Sequence, residues 1–283
     1  VGFVTSQDGT RIGYRQYGAG PAVVLVQGAI GTTQSYHELA SYLASDFTVY
    51  VPERRGRPLS PGAYRPDHTI ERELEDLAAL FERAGSPFLF GLSSGAVIAL
   101  EAARVFPSVR KLVLYEAPLY VPPQQLRLDL VARLNREIAA GKTAAAMLTA
   151  LFAAGTAPAL LRFLPRPLLE AALALFLRWD ARRPAREYPP LRELVPTVRF
   201  DFQVVSSQQD KWETFRTVPS DVLLLGGTKS PAFLRQSSVA LGQVLPQSQR
   251  LELPGLGHSG PWNADLGGRP QMVAAAMRTF LNA

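Results

Sequence analysis

The sequence predicts an α/β fold: a mostly parallel sheet flanked by helices, with a helical insertion late in the chain. Three observations predict it. Short continuous apolar runs, the mark of strands buried on both faces, alternate with amphipathic helical stretches. One run ends in Gly91-Leu92-Ser93-Ser94-Gly95, a strand-to-helix turn with a serine at its tip. From Leu119 to about Val218, strand signals give way to proline-punctuated helical segments.

The elements follow in order. Phe3 to Thr5 and Arg11 to Tyr17 read as strands joined through Asp8-Gly9, a hairpin signal. Ala22 to Val26 and Phe47 to Val51 are buried strands, and Ser35 to Ala44 between them has helical spacing. Ile70 to Ala84 is an amphipathic helix, with Leu74, Leu77, Leu80 and Phe81 inward and Glu71, Glu73 and Glu75 outward. Asp67 or Thr69 is placed to cap it. Phe88 to Leu92 is the strand that carries the serine turn, and an alanine-rich helix follows. Lys111 to Tyr115 is the next strand. Helical spacing then marks Leu126 to Ala140, Thr143 to Ala153 and Leu168 to Trp179, while Arg199 to Val205 fits strand or helix. The strand-helix pattern resumes with Val222 to Leu225, Pro231 to Leu245, Arg250 to Leu253 and Gln271 to Leu281. Strand-helix-strand order implies right-handed crossovers. We therefore expect a core of residues 1–118 and 219–283 and a helical cap of residues 119–218. Such a cap lies above the carboxyl ends of the strands, where open α/β sheets bind ligands.

Composition narrows the function classes. With 283 residues, 47% of them hydrophobic, the chain can bury a large core. No apolar run is long and uncharged enough to span a bilayer. The N-terminal residues lack the basic-then-apolar pattern of a secretory signal. Cysteine is absent, so disulfides and thiolate chemistry are excluded, which fits a cytoplasmic protein. Only His37, His68 and His258 are available, and no two have metal-pair spacing, so no metal is expected. The net charge of +6 is carried mostly by dispersed arginines. Arg54, Arg55 and Arg57 form one group and Arg178, Arg182, Arg183 and Arg186 another; both read as solvated faces and loop anchors. Without an aromatic-interleaved basic stripe, nucleic acid is not an expected partner. The expected partner is a small molecule.

The chemistry centres on Ser93. Gly91 and Gly95 permit a sharp turn that leaves Ser93 exposed above the sheet, with the N–H of Ser94 at a helix N-terminus. A hydroxyl needs a base to act as a nucleophile. His258 lies in Leu253-Pro254-Gly255-Leu256-Gly257-His258-Ser259-Gly260, directly after the last strand. Its imidazole needs a carboxylate partner. The loop after Val222 to Leu225 is Gly226-Gly227-Thr228-Lys229-Ser230-Pro231 and holds no acid. Glu116 stands instead at the end of Lys111 to Tyr115, one strand beyond the nucleophile. Asp201, Asp210 and Asp221 are alternatives. In the loop Gln27-Gly28-Ala29-Ile30-Gly31, the N–H of Ala29 is placed to pair with that of Ser94 as an oxyanion hole.

Together these residues resemble the α/β-hydrolase superfamily. Gly91-Leu92-Ser93-Ser94-Gly95 resembles its nucleophile elbow, and Leu256-Gly257-His258 its histidine loop. Glu53-Arg54-Arg55-Gly56-Arg57-Pro58-Leu59-Ser60 is similar to the acidic-Arg-Gly-x-Gly-x-Ser loop after the fourth strand. The resemblance covers the chain outside the cap and implies an eight-stranded, mostly parallel sheet with the cap inserted after the sixth strand. Two departures stand out. The family usually has His-Gly where this chain has Gln27-Gly28. Its acid usually follows the seventh strand, where this chain has Ser230; in some members a Glu after the sixth strand takes that role, which matches Glu116. Serine at the elbow, where dehalogenases and epoxide hydrolases carry Asp, disfavours those reactions.

The function expected is a cofactor-free serine hydrolase of an ester, lactone or thioester, using Ser93, His258 and Glu116 with Ala29 and Ser94 as oxyanion donors. Gln27, Gly28, Phe152, Phe176 and Trp179 are expected to line an apolar substrate pocket. Two alternatives use the same fold. One is a cyclase, lyase or dehydratase tailoring a natural product, with His258 as general base. The other is a ligand binder without turnover.

Overall fold

The computed structural model describes every residue except 63–67, 86 and 184–187. Asp67, Pro184 and Arg186 lie outside the described residues. The strands are β1 (Gly2–Thr5), β2 (Arg11–Tyr17), β3 (Ala22–Val26), β4 (Thr48–Pro52), β5 (Phe88–Leu92), β6 (Lys111–Tyr115), β7 (Asp221–Gly227) and β8 (Ser248–Leu253). They form one sheet in the order β1-β2-β4-β3-β5-β6-β7-β8. β2 is antiparallel to both β1 and β4, and all later pairs are parallel. The core helices are α1 (His37–Leu43), α2 (Ile70–Ala84) and α3 (Ser94–Val105); α4 (Leu128–Ala139), α5 (Thr143–Ala153), α6 (Arg166–Arg182), α7 (Leu191–Leu194) and α8 (Val198–Ser207) follow between β6 and β7. The chain closes with α9 (Ala232–Val244) and α10 (Pro270–Asn282).

Alternation along the strands splits the interior into two layers. Val23, Leu25, Phe90, Val113 and Leu223 pack with residues of α1 and α10. Val24, Val26, Leu89, Leu112 and Leu224 pack on the other face with residues of α2 and α3. Both layers are apolar because parallel strands covered on both faces leave no position for a solvated side chain. α3 is buried on nearly all sides, which is why its sequence shows small and apolar residues without an exposed polar stripe.

Two sequence expectations change here and one open reading is resolved. Glu73 faces inward and is 4% exposed. It lies on the stripe Ile70, Glu73, Leu74, Leu77, Leu80, Phe81, so helical geometry turns it toward the core despite its charge. The stretch 199–205 is helical, within α8, whose buried positions include Val198, Asp201, Phe202 and Val205. Arg54 and Arg57 are not solvated; they are 5% and 2% exposed. Among the described residues, no helix is long and apolar enough to cross a membrane.

Candidate active site

The site begins at the turn from β5 into α3. Ser93 occupies the left-handed region at φ 56° and ψ −125°, a backbone state that persists only where surroundings enforce it. They do so on both sides: Ser93 N–H donates to Tyr115 O across the sheet (3.0 Å), and Ser93 O accepts from Ala96 N–H (2.8 Å). The flanking glycines are required by contact. A Cβ on Gly91 would sit 2.6 Å from Ala96 Cα, and one on Gly95 would sit 2.5 Å from the carbonyl oxygens of Val26 and Gln27.

His258 follows β8 on a loop pinned by Tyr115, whose hydroxyl donates to Gly257 O at 2.8 Å. Its Nδ1 lies 2.7 Å from Glu116 Oε2. A carboxylate only accepts, so Nδ1–H is the donor in this bond, the tautomer that in a neutral ring leaves the lone pair on Nε2. Glu116 is almost fully buried, at 2% side-chain exposure, while His258 is 27% exposed. The other carboxylate oxygen, Oε1, accepts from Gly227 N–H (2.9 Å) and from the Ser230 hydroxyl. Glu116 thus has every oxygen committed, and these bonds fix its orientation toward the imidazole.

Ser93, Ser94, Gly28, Ala29 and His258 face one cavity of about 470 Å³. Its remaining wall is mostly apolar, with Leu126, Met147, Leu151, Val195, Val198 and Phe202 supplied from the segment between β6 and β7. Of the residues expected to line it, Gly28 does. Gln27 does not: it is fully buried, and its Nε2 donates to Pro52 O. Phe152 is also absent from this wall, where its neighbours Ala150 and Leu151 appear. Phe176 and Trp179, at 40% and 58% exposure, line an adjoining groove with Thr32, Ser35 and Asp180 rather than the cavity that Ser93 faces; Ile30, Leu191 and Trp262 border both. His37 is exposed, and His68 is buried with Nε2 3.0 Å from Glu73 Oε1.

A buried polar network beneath the elbow was not visible in the sequence pattern. Arg54 binds Glu73 through Nη2 at 2.6 Å and Asp201 through Nη1 at 2.5 Å. Asp201 Oδ1 also accepts from Ser94 Oγ at 2.6 Å. Burial would push the Glu73 carboxyl up, but the adjacent Arg54 guanidinium and His68 overcome it and hold it well below the usual range. Glu53 goes the other way: burial pushes it up to about 7 despite Arg57 nearby. Burial also lowers Arg57 from its ordinary value. Among the described residues, no group of three His, Asp or Glu side chains is arranged to hold a metal ion.

Comparison with known proteins bears on the family and the fold. The model of the alpha/beta hydrolase family matches residues 23–276. The uncharacterized hydrolase YraK of Bacillus subtilis (strain 168) is 34% identical over 96 residues, 33% of this chain and 35% of that protein. The N-formylmaleamate deformylase of Pseudomonas putida KT2440 is 33% identical over 121 residues, 41% of this chain and 45% of that protein. These alignments therefore span under half of the length of either curated relative. A solved alpha/beta hydrolase from Sphaerobacter thermophilus DSM 20745 superposes with a TM-score of 0.74 at 30% identity, covering 89% of this chain and 92% of that one. With a family match across most of its length and the sheet order described above, the chain belongs to the alpha/beta hydrolase family.

Proposed function

We propose that this protein is a serine hydrolase that cleaves an ester, lactone or thioester bond of a mainly apolar small molecule. The observation that carries the reading is the Glu116–His258 pair at 2.7 Å, whose imidazole lines the same cavity as the strained Ser93. In this mechanism Ser93 Oγ attacks the carbonyl carbon as its proton passes to His258 Nε2. Glu116 holds Nδ1–H and stabilises the imidazolium, a role whose loss slows serine hydrolases about 10⁴-fold. The carbonyl oxygen becomes an oxyanion received by the N–H groups of Ala29 and Ser94, each such donor contributing roughly 3 kcal/mol in the transition state. His258 returns the proton to the leaving oxygen or sulfur. Water, deprotonated by the same imidazole, then releases the acyl group from Ser93. The apolar wall supports an apolar acyl or alkyl group.

The test is labelling and turnover. A fluorophosphonate probe is expected to modify Ser93, and Ser93→Ala is expected to lower hydrolysis of p-nitrophenyl butyrate by roughly 10⁴-fold or more with the fold intact by circular dichroism. Undiminished hydrolysis by that variant sinks the reading.

A further inference from the structure

The oxyanion loop has a cation behind it. Gly28 to Gly31 form a tight turn in which Gly28 O accepts from Gly31 N–H at 3.3 Å. The third residue of the turn, Ile30, sits at φ 53°, which a β-branched residue rarely adopts. Such a turn needs external support to stay in one state. Gly28 O accepts a second hydrogen bond at 3.2 Å, from Arg57 Nη2. Arg57 is 2% exposed and lies outside the cavity wall that Gly28 and Ala29 help to form.

We propose that Arg57 is a positioning residue for the oxyanion hole, holding the Gly28–Ala29 peptide so that its N–H faces the cavity. The argument is the geometry of one peptide. A trans peptide is planar, and its C=O and N–H point in opposite directions. Fixing Gly28 C=O onto a guanidinium on the buried side fixes Ala29 N–H on the other side, where Ala29 lines the cavity beside Ser93. The cation also polarises the peptide in the sense that strengthens the N–H as a donor to a negative oxygen. Arg54 makes the companion contact one peptide earlier, donating to Gln27 O at 3.2 Å. Arg57 is itself held by charge: Asp201 Oδ2 lies 3.8 Å from Nη2, and Glu53 and Glu73 are its other acidic neighbours. Its Nε and Nη1 have no hydrogen-bond partner among the described residues, so the bond to Gly28 O is a principal anchor of the group.

This inference rests on the serine-hydrolase reading, and the experiment separates the two. Wild type, Arg57→Met and Arg57→Lys are compared with p-nitrophenyl butyrate and with an alkyl trifluoromethyl ketone. Ser93 Oγ adds to the ketone carbon, its proton passes to His258, and the resulting alkoxide occupies the oxyanion hole. Arg57→Met is expected to lower kcat by about 10- to 100-fold with KM within about threefold, and to weaken ketone inhibition by the same factor as kcat/KM. Arg57→Lys, which keeps a single cationic donor, is expected to recover part of both. A merely structural arginine would not move kcat and ketone affinity together while sparing KM. Wild-type kcat in Arg57→Met, or a fall in kcat with ketone affinity unchanged, overturns the inference. If Arg57→Met fails to fold, Arg57→Lys carries the test: a parallel loss of about three- to tenfold supports it, and wild-type values overturn it. Absence of Ser93-dependent turnover in the wild type removes the underlying reading instead, and this inference with it.

Discussion

At the scale of single residues, the site turns on an exchange between Glu116 and Ser230. Ser230 follows β7, where the family's acid usually stands, and its hydroxyl donates to Glu116 Oε1. Glu116 follows β6, and its Oε2 reaches His258. The neighbouring loop ends are close enough for a carboxylate on either strand to meet the imidazole, and the serine fills the space left by the missing acid with a donor. Gly226 is part of the same fit, since a Cβ there would come within 3.2 Å of Glu116 Oε1. Glu116→Gln is expected to cut kcat by about 10³- to 10⁴-fold, because an amide nitrogen facing Nδ1 stabilises the wrong imidazole tautomer. Steady-state kinetics on an aryl ester check it, with thermal unfolding as the control for folding; an unchanged kcat would place the orienting acid elsewhere. The Glu116–His258 contact was legible in the sequence because Glu116 stands at the end of β6, the strand paired with β5. Phe152 on α5 and Phe176 and Trp179 on α6 were not: their identity favours a pocket, but only the packing of those helices decides which cavity a side chain meets.

At the scale of elements, α8 is the piece that joins the helices between β6 and β7 to the turn from β5 into α3. Asp201 on α8 meets both Arg54, from the loop after β4, and Ser94, the first residue of α3. Its charge explains why the helix was obscure in sequence. Val198, Asp201, Phe202 and Val205 form the inward stripe, and the polar letter in the middle of Phe200-Asp201-Phe202 makes a helical period look like strand alternation. Glu73 was placed on the outer face of α2 by its charge, although the inner stripe of Leu74, Leu77, Leu80 and Phe81 was legible. Both acids are buried only because Arg54 stands between them, a pairing of residues 19 and 147 positions apart that no local pattern encodes. Removing one partner of a buried ion pair leaves the other uncompensated. Asp201→Ala is therefore expected to destabilise the protein by about 3 kcal/mol, Glu73 still holding Arg54 while Arg57 loses a counter-charge. Urea unfolding reads this as a lower midpoint at unchanged slope; a midpoint equal to wild type would mean that Arg54 and Ser94 are satisfied without α8.

At the scale of the whole molecule, these buried charges set how stability responds to pH. The two carboxyls lowered most act in the acid range. Hydrogen bonding to Arg55 holds Asp8 well below its ordinary value, and Arg54 and His68 hold Glu73 down against the opposing effect of burial. A depressed carboxyl binds its proton less readily folded than unfolded, so its stabilisation is present above about pH 4 and is lost as pH falls below that. Glu53 has the opposite sign. Burial raises it to about 7, so between about pH 4.5 and 7 the unfolded chain releases a proton that the folded chain retains, and stability declines as pH rises. The two effects together place the expected maximum near pH 5. Glu53→Gln isolates the second, since a glutamine can keep the contacts to Thr33 N–H and Oγ1 without a titrating proton. The wild type is expected to lose stability of the order of 2 kcal/mol between pH 5 and 8, and Glu53→Gln to show little of that slope while keeping the fall below pH 4. Thermal midpoints measured from pH 3 to 8 decide it: identical profiles for the two proteins would show that Glu53 ionises in the folded state as it does in the unfolded chain, with Arg57 offsetting the effect of burial.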